Sequence, residues 1–242
     1  MSDAIVCGFA DEATAFVGLA WTLGDGGGLL VREGETTDAA AEIEPDGEGA
    51  IVRLEGGGLA CEATLAPRAG AVPLPAAEDA IAPGDPSGAI CVVRARVRNG
   101  GERKLDCAGY LTRWGTDPTG GAELFRHLAI PGPDRSLLLA SAARPAGAGN
   151  HGDEALSAWR LDPEGGASAF GEALLSTQYD DDGLQVRAGL ELWASDPDSP
   201  PVRAAGRLER GTALRAGAVA VAALHTSAEG TEGIGSYLIW RA

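Results

Sequence analysis

At 242 residues, 45% of them hydrophobic, the chain is long enough to bury a substantial core and too apolar to be a disordered polymer. Its formal charge of −16 is spread along the chain rather than gathered in a tail, which argues against nucleic acid or an anionic membrane as partner, because phosphates would approach against the whole field. The opening residues lack a basic start and are interrupted by Asp11 and Glu12, and the longest apolar run, Ala216 to Leu224, is too short to span a bilayer, so neither a secretory signal nor membrane insertion is expected and a cytoplasmic location is.

Taken in chain order, short alternating segments recur between Gly, Asp, Asn and Pro, and helical periodicity is nearly absent. About eight such segments lie between Ala4 and Trp114, and about eight more between Glu123 and Trp240. "LACEATLAP" places Leu59, Cys61, Ala63 and Leu65 on one face, and "LQVRAGLELW" does the same with Leu184, Val186, Ala188, Leu190 and Leu192. In "CVVRARVRNGGERKLDCAGYL" a three-residue turn, Asn99-Gly100-Gly101, sets Arg98 opposite Glu102, Arg94 opposite Asp106, Ala95 opposite Leu105 and Val93 opposite Cys107. The Pro- and Ala-rich stretch Pro67 to Gly88 is either a lid or a loose insertion.

The two halves share motifs in the same order. "IEPDGEG" from Ile43 matches "LDPEGG" from Leu161, "GLACEATL" from Gly58 matches "GLQVRAGL" from Gly183, and "GYLTRW" from Gly109 matches "SYLIW" from Ser236. The expectation is an all-β chain of two tandem pseudo-repeated antiparallel barrels of about eight strands each, divided as residues 1–118 and 119–242. Two such units, together with "GYLTRWG" and "RPAGAGNHGDEALSAWR", resemble the two-barrel lipocalin-like proteins that include carotenoid hydratases and tocopherol-cyclase-like proteins. The resemblance implies an apolar, isoprenoid-like small molecule as partner and acid–base chemistry with no redox cofactor.

His151, followed by Asp153 and Glu154, is the expected catalytic set: an imidazole titrating near neutrality, tuned by a neighbouring carboxylate, can donate or remove a proton. The plainer account of the same stretch is a solvated loop whose carboxylate caps a turn. Arg144 is a candidate for an anionic head group, and Trp159, Tyr110 and Tyr237 are candidate ligand contacts, each with a packing role as the simpler alternative. No metal site is expected, since the spacing of His127, His151 and His225 fits no zinc or iron motif. Cys7, Cys61, Cys91 and Cys107 lack CxxC spacing and are expected to be reduced. Asp180 to Asp182 suit a hairpin turn better than a calcium loop. The function that fits is a hydratase, cyclase or isomerase; a non-catalytic binder of an apolar molecule and a β-sandwich interaction module are the alternatives.

Overall fold

A computed structural model describes residues 4–76, 84–148, 153–196, 198–208 and 213–242. The first sheet holds β1 (Ala4–Asp11), β2 (Phe16–Trp21), β3 (Gly27–Arg32), β4 (Glu35–Asp46), β5 (Gly49–Gly56), β6 (Leu59–Pro67), β7 (Val72–Pro73), β8 (Pro86–Arg98) and β9 (Glu102–Trp114). The second holds β10 (Ala122–Pro131), β11 (Leu137–Pro145), β12 (Ala155–Asp162), β13 (Gly166–Ala169), β14 (Glu172–Tyr179), β15 (Gln185–Trp193), β16 (Val202–Arg207), β17 (Ala213–Ala216), β18 (Val219–Ala228) and β19 (Thr231–Arg241). Every pairing is antiparallel, and in each sheet the first strand lies beside the last: β1 on β9, β10 on β19. The chain is all-β, as its alternation requires.

The first sheet closes. Its order runs β6-β5-β4-β3-β2-β1-β9-β8, and β6 pairs β8 from Ala60↔Arg98 to Pro67↔Cys91, giving an eight-stranded barrel with β7 appended to the free start of β8. The expected β8–β9 register is observed, including Arg98↔Glu102, Arg94↔Asp106, Ala95↔Leu105 and Val93↔Cys107. Leu59, Cys61, Ala63 and Leu65 face the barrel interior with Leu54, Val93 and Leu105, and all four cysteines are free. Burial pushes the Cys7, Cys61, Cys91 and Cys107 thiols up to about 12, so they serve as small hydrophobes.

The second sheet curls into a half-barrel, ordered β13-β12-β11-β10-β19-β18-β16-β15-β14, with β17 on β18. Among the described residues no ladder joins β13 to β14. The expected inward face holds for Leu184, Ala188, Leu190 and Leu192 and fails at Val186. There Gln178 pairs Arg187 and Tyr179 pairs Gln185, so Val186 is an extra residue, and this bulge turns fully buried Gln185 inward in place of Val186. The amide of Gln185 donates to the Ala220 and Tyr237 carbonyls at 3.1 and 2.8 Å.

Between the two sheets lies a third core. Trp21, Leu29 and Trp114 of the barrel pack against Phe125, Leu139 and Trp159 of the half-barrel. Trp114 meets Phe125 edge-on at 5.6 Å between ring centroids. Strands β1 and β2 are buried on both faces, one toward the barrel interior and one toward the other sheet, which is why "AIVCGF" and "FVGLAW" read as continuous apolar runs. Leu74, inside the stretch expected to be a lid or insertion, is buried in this core, and Pro75 accepts a hydrogen bond at 2.7 Å from the Trp159 indole. Residues 77–83 of that stretch lie outside the described residues.

Candidate functional site: a cleft between the barrel and the half-barrel

The inward side chains of the closed barrel pack into one core, and a separate apolar space lies between the two sheets. A cleft of about 300 Å³, at the lower end of what small-molecule sites use, opens there with a largely apolar wall that includes Leu19, Ile90, Ala129 and Leu137. Its polar floor is the Tyr110 hydroxyl, 2.5 Å from the Ser236 hydroxyl, one group from each sheet.

Local sequence explains how Tyr110 reaches this position. It sits on β9 directly opposite Gly8 of β1, and its ring lies over that glycine. A Cβ at Gly8 would stand 2.7 Å from Tyr110 Cε1 and 2.5 Å from Leu19 Cδ2, so any side chain there would displace the ring. Burial pushes the Tyr110 phenol well above its ordinary value, outweighing the Ser236 hydrogen bond that lowers it. The phenol is therefore a hydrogen-bond donor at neutral pH, suited to an oxygen that gains negative charge.

Behind the floor stands His127, wholly buried. Its Nδ1 lies 3.0 Å from the Ser141 hydroxyl, its ring meets Trp114 edge-on at 5.0 Å, and its Nε2 has no hydrogen-bond partner among the described residues. Burial lowers its pKa to about 3, which keeps the imidazole neutral. Charge is confined to the rim, where Glu12, Arg68 and Arg135 line the cleft.

A second polar cluster lies inside the half-barrel. Arg126 of β10 forms an ion pair with Glu154, each side chain 4% exposed. The same guanidinium donates to Thr177 Oγ1 at 3.2 Å, the Tyr237 hydroxyl at 3.4 Å and the Leu175 carbonyl at 3.5 Å. Thr177 and Tyr237 also share a hydrogen bond of 2.6 Å. Burial raises the Tyr237 phenol, while the Arg126 charge pulls against that shift.

The residues singled out from the sequence therefore separate. Tyr110 lines the cleft. Tyr237 and Glu154 meet at Arg126 in the half-barrel. Trp159 is buried in the core between the sheets, and Arg144 pairs with Glu123 at 2.6 Å. Asp153 adjoins β12, and His151 lies outside the described residues. The strands flanking His151 are β11 and β12. Pro145, the last residue of β11, pairs with Ala122, whereas the cleft is lined by Ala129 and Pro131 at the other end of β10. At ~3.3 Å per residue those ends are about 30 Å apart. Sequence patterns point to none of Ser236, Arg126 and Gln185, and to His127 only as a metal ligand to be set aside. The signal for Ser236 is its place at the head of "SYLIW". Asp180 to Asp182 form a turn, the Asp180 carboxylate accepting from the Asp182 and Leu184 amides. Among the described residues no group of three or more His, Cys, Asp and Glu side chains is placed to hold a metal, and no helix is long and apolar enough to cross a membrane.

No family model matches the chain, and no curated protein matches it in sequence. Solved structures do share its fold. Kievitone hydratase from Nectria haematococca superposes with a TM-score of 0.65 at 11% identity, covering 100% of this chain and 89% of its own. A protein from Nitrosomonas europaea described as a candidate AttH gives 0.64 at 12%, covering 98% and 91%. CghA bound to Sch210972 gives 0.54 at 11%, covering 99% and 88%. At these identities the likeness is one of fold, and the fold is the expected one in kind: an all-β chain of two consecutive antiparallel sheets, here a closed barrel and a curled half-barrel.

Proposed function

We propose that the chain is a non-redox enzyme of the hydratase, cyclase or isomerase kind that acts on an apolar small molecule held in the cleft between its two sheets. The observation that carries this reading is the pairing of an apolar wall with one buried phenol, Tyr110, tied to Ser236 on the opposite sheet. The fold shared with a hydratase agrees with it as analogy. Tyr110 donates a hydrogen bond to an oxygen of the ligand and stabilises charge that develops there, and Glu12 at the rim moves the proton. The set His151, Asp153 and Glu154 is the competing assignment. Its Glu154 already neutralises Arg126, and its flanking strands point to the far end of the half-barrel.

A second reading, storage without chemistry, is favoured by one observation: within the protein, Tyr110 hydrogen-bonds only to Ser236 among the described residues, with no titratable group on the phenol itself. The two separate in one experiment. The protein is purified, its bound molecule is identified by native mass spectrometry and extraction, and the complex is incubated in heavy water. Acid–base turnover introduces deuterium into the extracted molecule, and Tyr110→Phe and Glu12→Gln lower that incorporation at least tenfold while His151→Ala leaves it unchanged. A ligand whose mass never changes establishes storage. Incorporation lost in His151→Ala with binding intact moves the chemistry to His151. Ala108→Trp, which fills the cleft from β9, abolishes binding; retained binding would place the ligand elsewhere.

A further inference from the structure

The rim of the cleft is electrically lopsided. Arg68, just past the end of β6, and Arg135, in the turn between β10 and β11, both line it, one from each sheet, and both are exposed. Among the described residues neither forms an ion pair, whereas Arg32, Arg53, Arg126, Arg144, Arg160 and Arg203 all do. Glu12 stands where the cleft joins a neighbouring groove whose wall carries Glu33 and Glu232, and that groove touches neither arginine. The cleft itself is therefore lined by two guanidinium groups and one carboxylate, and the further carboxylates line the neighbouring groove.

The backbone around Arg135 is built to hold it there. Asp134 and Arg135 are consecutive non-glycine residues in the left-handed region, at φ 55° and 63°. Ser136 secures this turn through three bonds: its amide and hydroxyl both donate to the Pro133 carbonyl, at 2.9 and 2.7 Å, and its carbonyl accepts from the Gly132 amide at 2.9 Å. Backbone held in a disfavoured region by surrounding bonds is a mark of functional positions. Arg68 is fixed by its own amide, which donates to the Ile90 carbonyl at 2.8 Å beside the apolar wall.

Resting on the cleft as the binding site, we infer that its ligand is an amphipathic anion: an apolar body with one carboxylate, or a group of like charge and geometry, held between Arg68 and Arg135. A planar guanidinium suits a carboxylate better than any other common charged group, because it offers two parallel donors. The −16 charge of the whole chain does not oppose this at contact, since it is screened beyond about 8 Å in physiological salt while the arginines act at hydrogen-bond distance.

Three probes of one chain length test it: octanoate, octanol and octylamine, titrated calorimetrically at pH 7 into the wild type, Arg68→Gln/Arg135→Gln and Ala108→Trp. The expected result is octanoate bound about tenfold more tightly than octanol, the gain of one charge-assisted contact at a solvated rim, and octylamine the weakest. The double glutamine variant loses the preference for octanoate and keeps its affinity for octanol, and both exposed substitutions leave the thermal melt unchanged. Equal affinities for the three probes, or a preference for octylamine, overturn the charge assignment and leave the cleft standing. Binding of none of them, or octanol affinity unaffected by Ala108→Trp, overturns the cleft itself and this inference with it.

Discussion

The barrel and the half-barrel begin alike, each pairing its first strand with its last, and then solve the problem of a sheet's edge in opposite ways. In the barrel, β6 and β8 complete the ladder, every strand has two neighbours, and the interior holds Leu54, Leu65, Val93 and their kin. In the half-barrel, β12 and β14 approach but are not joined by a ladder, and Arg126 reaches across from β10. Its guanidinium satisfies the Leu175 carbonyl and the Thr177 hydroxyl on β14, and also Glu154, the residue preceding β12. A backbone seam has been replaced by side chains. Backbone closure removes edges at no cost in buried charge. Side-chain closure places an ion pair in an apolar interior, where its worth depends on every donor and acceptor being met.

That contrast predicts the largest single effect. Arg126→Met removes the guanidinium that pairs the buried Glu154 carboxylate and meets two acceptors of β14, and should destabilise the protein by about 3–5 kcal/mol. Combining it with Glu154→Leu should recover most of the loss, because an apolar pair of similar volume often matches a buried ion pair. Urea denaturation of the wild type, the single and the double variant measures both. A single variant within about 1 kcal/mol of wild type would mean that the pair is solvated and the seam is not held by it.

The region between the two sheets responds to pH instead. His127 is neutral in the folded protein, its pKa lowered to about 3 by burial, while in the unfolded chain it returns to about 6.5. Between those values the unfolded state binds a proton that the folded state refuses, so stability is complete above about pH 6.5 and falls as the pH drops toward 3. The slope is about 1.4 kcal/mol per unit, or roughly 2 kcal/mol between pH 7 and pH 5. His127→Leu should be less stable at pH 7, having left Ser141 unpaired, but should lose about 2 kcal/mol less than the wild type on going to pH 5. Chemical denaturation at the two pH values decides it, and parallel losses in both proteins would show that other groups govern the acid limb.

How far the fold could be read ahead of the structure follows from the same comparison. Period-two alternation and the Asn99-Gly100-Gly101 turn are local signals, and the β8–β9 register they imply is observed residue by residue. Val186 departs from the alternation because a bulge changes parity without changing composition, and only the pairing partner reveals it. The motif match at Ile43 and Leu161 joins unlike turns, β4–β5 in one sheet and β12–β13 in the other. The match of "GYLTRW" to "SYLIW" is one residue short, so Trp114 and Trp240 both lie at the core between the sheets, whereas Tyr110 faces the cleft and Tyr237 the half-barrel interior. The cleft itself was not legible, because it is made from the outer faces of two sheets. Its one trace was the unbroken apolar character of β1 and β2, which marks strands covered on both sides.

The smallest effect belongs to the tie between the two sheets. Tyr110 and Ser236 are both buried and bonded to each other, so Tyr110→Phe removes one hydrogen bond and should cost about 1 kcal/mol. Ser236→Ala should cost a similar amount. The double variant should cost less than the sum, because the penalty in each single variant includes a stranded hydroxyl that the double variant no longer has. A double-mutant cycle by urea denaturation yields the coupling directly. A coupling of zero would mean that Tyr110 and Ser236 do not hold the sheets together in solution, and the phenol would then turn freely toward the cleft. A coupling near 1 kcal/mol would mean that the floor of the cleft is fixed before any ligand arrives, so that a bound oxygen meets a donor already in place.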